Sequence, residues 1–283
     1  MKPVLFAVLS ALGLCLAQNG VQAQEYKEHI TKQFTVNGGT VAVYNIWGTI
    51  KVEGYSGNKV LMEVDETIKG KTQADVDQAK KEVKLGFDQK ADSVIAYTAE
   101  PYDTRPHNWN HHDDSHRRDY TVHLEYTIKV PFNTSLAVST VNDGHITVKD
   151  VYGSLKVNNV NGSLEIINAK GTTIAHTVNG PVTVNYLAAP PGESSYYTIN
   201  GQMNITYPAN LSADLTFKSF NGQFFTDFPD AVVLPNKVVK TEAKSGAGTT
   251  YKLSTNSDVR IGSGGKLFKF ETLNGNIYIK KQQ

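Results

Sequence analysis

Between Gly144 and Gly222 apolar and polar residues alternate in short bursts, each opened by a glycine. The second and fourth positions after the glycine are Ile146 and Val148, Leu155 and Val157, Leu164 and Ile166, Val182 and Val184, Met203 and Ile205, and the pair returns as Ile277 and Ile279 after Gly275. Polar residues such as His145 and Thr147, or Gln202 and Asn204, stand between them. A period of two is that of a half-buried strand, so each glycine starts a strand whose even positions face a core. Two units depart: Gly171-Thr172-Thr173-Ile174 slips by one, and Phe224 is followed by Thr226.

The bursts repeat. Gly144, Gly153, Gly162, Gly171 and Gly180 are nine residues apart, and the interval widens to twenty-one at Gly201 and Gly222. Asn161, Asn179, Asn200, Asn221 and Asn274 precede Gly162, Gly180, Gly201, Gly222 and Gly275, with Asp143 in that slot before Gly144. If alternate units share a face, one coil is eighteen residues and the Asn-Gly corners stack, with Asn and Gly chosen for positive φ and Asn amides bonding along the axis. The competing arrangement is a set of Asn-Gly hairpins in an antiparallel sandwich, which does not require equal spacing. The fold expected is therefore all-β: a parallel β-solenoid, single-stranded and β-helix-like, after an N-terminal β-rich portion containing one helix.

That portion reads as strands over Tyr26 to Val36, Thr40 to Tyr44, Gly48 to Val52 and Lys59 to Ile68, a helix from Thr72 to Val83, and long strands over Lys84 to Tyr97 and Tyr120 to Val130. Thr72 offers an N-cap, and Ala74, Val76, Ala79 and Val83 a modest apolar stripe. From Phe228 to Lys266 the period weakens, and the Thr272 to Ile279 unit is expected to close the stack, with the tail Lys280 to Gln283 blunting its edge. The divisions are 1–23, 24–131 and 132–283.

Residues 1–23 read as a signal peptide, with Lys2, an apolar run from Val4 to Ala17 and a small-residue site ending at Ala23, too short a run for a membrane span. Cys15 follows Leu14, a poor lipidation context, and it is the single cysteine. The mature chain is then free of disulfides, cysteine-zinc sites and thiol nucleophiles, and it is expected in the periplasm, on the outer surface or secreted. Removing Lys2 from the 28 basic residues leaves 27 against 27 acidic ones, with no footprint for nucleic acid.

The strand Tyr126-Thr127-Ile128-Lys129-Val130-Pro131, the Ser139-Thr140-Val141-Asn142-Asp143-Gly144 entry, the Val-Asn-Gly units and the terminal Leu273-Asn274-Gly275-Asn276-Ile277 resemble a bacterial adhesin-like β-solenoid family, a domain of unknown function. The resemblance implies stacked parallel coils and a binding role, and brings no catalytic residues.

One segment gathers chemistry. His107, His111, His112 and His116 fall within ten residues beside Asp113 and Asp114, ligands suited to a borderline divalent metal, although no His-Glu-x-x-His pattern is present. It belongs to a loop, Pro101 to Asp119, of a length associated with function. The bland alternative is a solvated hairpin tip. Parallel β-helices also carry polysaccharide lyases and hydrolases, but the acids between Thr140 and Gln223 are Asp143, Asp150, Glu165, Glu193 and Asp214, and no two fall at matching positions of neighbouring units. Phe225, Tyr278, Tyr196 and Tyr197 are candidates for outward aromatics. The expectation is an exported, non-enzymatic, adhesin-like protein without a cofactor, binding a glycan or protein at the cell envelope. The alternative is a carbohydrate-active enzyme.

Overall fold

The computed structural model describes residues 24–36, 38–106, 118–235, 239–245, 248–254 and 257–283. The chain is all-β with one helix among these residues. The N-terminal strands are β1 (Gln24–Thr35), β2 (Thr40–Tyr44), β3 (Ile50–Tyr55) and β4 (Lys59–Gly70), followed by α1 (Gln73–Glu82), β5 (Lys84–Gln89), β6 (Ser93–Glu100) and β7 (Tyr120–Pro131). Thr72 caps α1 in a reciprocal box with Asp75, and Val76 and Ala79 are its buried face. The single strand expected over Lys84 to Tyr97 is instead the antiparallel pair β5 and β6, turned between Lys90 and Ser93.

Ten short strands follow: β8 (Ser135–Ser139), β9 (Ile146–Lys149), β10 (Leu155–Asn158), β11 (Leu164–Ala169), β12 (Thr173–His176), β13 (Val182–Tyr186), β14 (Ser194–Asn200), β15 (Met203–Tyr207), β16 (Ala213–Asn221) and β17 (Phe224–Thr226). Then come β18 (Val232–Val233), β19 (Val239–Ser245), β20 (Gly248–Ser254), β21 (Ser257–Ile261), β22 (Lys266–Asn274) and β23 (Ile277–Lys281). Even-numbered strands from β8 to β16 enter one large sheet and odd-numbered strands from β9 to β17 the other, so the chain crosses between sheets at each corner. One sheet runs β1-β4-β7-β3-β9-β11-β13-β15-β23-β17, the other β18-β21-β16-β22-β14-β12-β10-β8-β2-β6-β5, and β19 and β20 form a separate hairpin. Both large sheets are mixed. Their middles are parallel, while β1, β4 and β7 at one end, and β16, β21 and β18 at the other, pair antiparallel.

The apolar pairs read from the sequence point inward: Ile146, Val148, Leu164, Val182, Val184, Met203, Ile205, Ile277 and Ile279 are all buried. The Gly171 unit keeps register rather than slipping. Thr173 pairs with Leu155 and takes the buried position, which leaves Ile174 40% exposed. Towards the C-terminus the core becomes aromatic: Tyr186 stacks on Tyr207 at 5.0 Å, Tyr207 on Phe268 at 5.4 Å, and Phe270 lies between Tyr196 and Phe217 at 4.9 and 5.0 Å. Tyr196 is thus an interior residue, and its hydroxyl bonds those of Tyr186 and Tyr207 at 2.6 and 3.1 Å. The C-terminal unit does not close the stack. Strand β22 lies between β14 and β16, and β23 between β15 and β17, so the tail emerges beside Tyr186 and Tyr207.

Candidate functional site

The Asn-Gly corners make three columns along the stack. Outermost is an amide ladder in which Asn161 donates to Asn142, Asn179 to Asn161, Asn200 to Asn179 and Asn274 to Asn200, each at 2.8 Å, and Asn221 to Asn274 at 2.9 Å. Asn142, not Asp143, holds the ladder slot in its coil, and Asp143 is an added residue at φ 51°. The glycines form the second column, and they are required by contact: a Cβ on Gly162 would lie 2.0 Å from the Gly144 carbonyl oxygen, one on Gly180 2.3 Å from that of Gly162, and one on Gly201 2.0 Å from that of Gly180. Positive φ, the expected reason, is found at Gly48 but at none of these three.

The innermost column is polar and was not read from the sequence. The Thr140, Thr177 and Thr198 hydroxyls donate to the carbonyls of Gly48, Gly162 and Gly180, and the Asn159 amide to that of Gly144, all at 2.9 Å. These buried polar side chains satisfy the oxygens that tight stacking pushes towards the core. The ladder residues are therefore engaged in holding one coil on the next.

The first corner differs. Trp47 bridges Asn142 and stands where the other coils place asparagine. The Asn45 amide fixes it by donating to the Trp47 carbonyl at 3.0 Å and the Leu124 carbonyl at 2.9 Å, and the indole packs 5.6 Å from the His123 ring. Beside it opens a cleft of about 200 Å³ whose walls include Trp47, Tyr102, Arg118, Tyr120 and Leu124. Arg118 lies 5.4 Å over the Tyr102 ring and 3.9 Å from the Glu82 carboxylate, which also receives the Tyr120 hydroxyl at 2.6 Å. The hydrogen bonds from Tyr120 and Gln78, with the charge of Arg118, hold the Glu82 carboxyl below its ordinary pKa, while burial and then Glu82 itself push the Tyr120 phenol up.

The cleft sits between the roots of the Pro101 to Asp119 loop. On the incoming root Arg105 binds Asp103 and Asp88 and covers the Tyr97 ring at 4.1 Å. On the outgoing root Asp119 pairs with Lys71 at 2.6 Å. His107, His111, His112 and His116 lie outside the described residues; among those described, no group of three or more metal-ligating side chains occurs. The acids considered for catalysis are scattered: Asp214 is clamped by Arg260 at 2.7 and 3.3 Å, Glu193 meets Lys269 at 3.3 Å, and Asp150 accepts from Asn168 at 2.8 Å. Phe225 and Tyr278 do stack outward, at 5.0 Å. No described helix is long and apolar enough to cross a membrane.

The sequence signal for the cleft was Trp47-Gly48, a corner with tryptophan in place of asparagine; Glu82, Tyr102, Arg118 and Tyr120 left no spacing pattern. No family model and no curated protein matches the sequence. Three crystal structures are similar in part. A protein from Clostridium sporogenes provisionally assigned to cell adhesion is 12% identical over 91% of this chain and 100% of its own, with a TM-score of 0.42. A provisional adhesin from Bacteroides fragilis is 10% identical over 90% and 97%, at 0.27, and a provisional lipid-binding protein from Parabacteroides distasonis is 8% identical over 90% and 97%, at 0.32. Likeness at this level establishes neither family nor function.

Proposed function

We propose that the protein is a non-enzymatic, adhesin-like binding protein of the cell envelope, exported by residues 1–23, whose repeat region from residue 132 is a two-faced parallel β-solenoid. The solenoid reading rests on the unbroken parallel pairing of β9, β11, β13 and β15 in one sheet and of β8, β10, β12 and β14 in the other. The binding surface is the cleft at the loop roots, and its ligand is a glycan. What carries this is the arrangement of Trp47 and Tyr102 beside an Arg118–Glu82–Tyr120 group: aromatic faces stack on sugar rings, and the polar group hydrogen-bonds hydroxyls without a free carboxylate pair for hydrolysis.

A glycan array followed by calorimetry, with a polysaccharide-degradation screen in parallel, tests it. Saturable binding that is lost in Trp47→Ala and Tyr102→Ala, without turnover, is expected. Turnover without stable binding, or binding indifferent to both substitutions, refutes the proposal. Fusing residues 1–23 to a reporter checks export. His107, His111, His112 and His116 remain proposed as a divalent-metal group; a zinc titration without saturable heat removes it.

A further inference from the structure

Inward positions of β4 run Val60, Met62, Val64, Glu66, Ile68, so one carboxyl interrupts an otherwise apolar column. Glu66 is only 8% exposed and has no hydrogen-bond or ion-pair partner among the described residues. It faces a groove of about 360 Å³ between the edge strand β1 and the strand β5, closed at one end by α1. Directly across from Glu66 on β1 stands Glu28, a like charge. Burial, then Glu28, raises the Glu66 pKa and favours its neutral form. On the neighbouring strand β7 the buried Tyr126 hydroxyl is a second polar group without a partner, its pKa raised by burial and then by Glu66.

The rest of the groove is amphipathic. Its floor is Ile30, Ile68, Val83, Leu85 and Phe87, and β5 has no fully buried residue, so this end of the sandwich is left partly open. Its rim carries Lys32, Lys80 and Lys84, none of which forms an ion pair among the described residues. The Lys80 ammonium lies 3.8 Å over the Tyr26 ring and that of Lys32 5.5 Å over Phe87, positions that keep the cations at the groove edge. From Tyr26 to Lys32 an extended strand covers roughly 20 Å. A wholly apolar occupant would strip water from three ammonium groups, and a wholly polar anion would leave the floor wet.

We infer that this groove binds a long-chain carboxylate amphiphile, its head group held by Lys80 and Lys84, its chain lying along Ile30, Leu85 and Phe87. The Lys80 and Lys84 ammonium groups hold a carboxylate in charge-assisted bonds, and a compact monoanion is repelled less by Glu28 than a phosphate dianion would be. The groove shares only Val83 with the glycan cleft, and the inference does not depend on that cleft.

Displacement of a fluorescent fatty acid from the whole chain by octanoate, decanoate and laurate tests it, with dodecanol and phosphatidylcholine vesicles as comparisons. Affinity should rise about fourfold per added methylene, dodecanol should bind about tenfold or more weaker than laurate, and Lys80→Gln with Lys84→Gln should remove that preference while leaving dodecanol unchanged. Trp47→Ala should leave laurate binding intact, and circular dichroism of each variant separates lost binding from lost folding. Absence of saturable laurate binding, equal affinity for dodecanol, or capture of vesicles without free laurate overturns the inference.

Discussion

Replacing Thr177 by valine keeps the shape of the side chain and deletes one donor. The hydroxyl is 1% exposed as part of its residue and reaches the Gly162 carbonyl at 2.9 Å. A typical intramolecular hydrogen bond contributes about 0.5–1.5 kcal/mol net, and an acceptor left without its partner away from water costs about 1–3 kcal/mol. The corner is only part-buried, so Thr177→Val should destabilise by about 1–2 kcal/mol. With a urea m value near 3 kcal/mol/M, the midpoint should fall by roughly 0.3–0.7 M. Asn179→Ala is the contrast. It removes two ladder bonds, to Asn161 and from Asn200, but both are exposed and water replaces them, so the loss should stay below about 1 kcal/mol. Urea unfolding of both variants followed by circular dichroism decides between the columns. If Asn179→Ala costs more than Thr177→Val, the exposed amides and not the inner hydroxyls hold the corner, and the reasoning fails.

Other outcomes follow from the same packing. Gly201→Ala places a methyl 2.0 Å from a backbone oxygen and should cost at least the upper end of the ~1–3 kcal/mol range of overpacked sites, seen as a lowered midpoint or loss of soluble protein. Thr173→Val should stabilise by about 1 kcal/mol, because the Thr173 hydroxyl is buried near the Tyr186 phenol without hydrogen-bond geometry. Burial raises the Tyr186 phenol to about 12, and those of Tyr196 and Tyr207 well above their ordinary value. Folded-state pKa values above the unfolded value of about 10 mean that this stability is complete below pH 10 and is lost as pH rises beyond it. Tyrosinate absorbance for these residues should therefore appear only with alkaline unfolding; a reversible signal from folded protein at pH 10 that disappears in Tyr186→Phe would contradict it.

Much of this fold was legible because its forces are local. Strict alternation placed the inward pairs, and Thr72 announced the helix start. What escaped depends on neighbours distant in sequence. Nothing local distinguishes a glycine kept for positive φ from one kept because the next coil's carbonyl lies 2 Å from where a Cβ would be. The strings Thr177-Val178-Asn179-Gly180 and Thr198-Ile199-Asn200-Gly201 were read by their last two members alone. The cleft draws Trp47, Val83, Tyr102 and Arg118 from four separate segments. Glu66 was not picked out from the sequence, because its isolation depends on the cross-strand pairing with Glu28.

The last two strands show how far chain order and stacking order can part. Elements near in sequence usually become neighbours, and up to Met203 each strand of the repeat pairs with the next but one in chain order. Yet Asn274 receives Asn221 and donates to Asn200, so the ladder reads 200, 274, 221. The inserted coil fits because it repeats the same corner: Gly275 packs on the Gly201 carbonyl at the same 1.9 Å projected Cβ distance that Gly222 shows on Gly275. A corner motif that is self-complementary along the axis does not encode its own position, so any unit carrying it can stack on any other. The aromatic core supplies the missing specificity. Phe268 meets Tyr207, and Phe270 meets both Tyr196 and Phe217, contacts that the smaller Val182 and Val184 of β13 could not make. The corner thus fixes the spacing of the coils, and side-chain size within the core fixes their order.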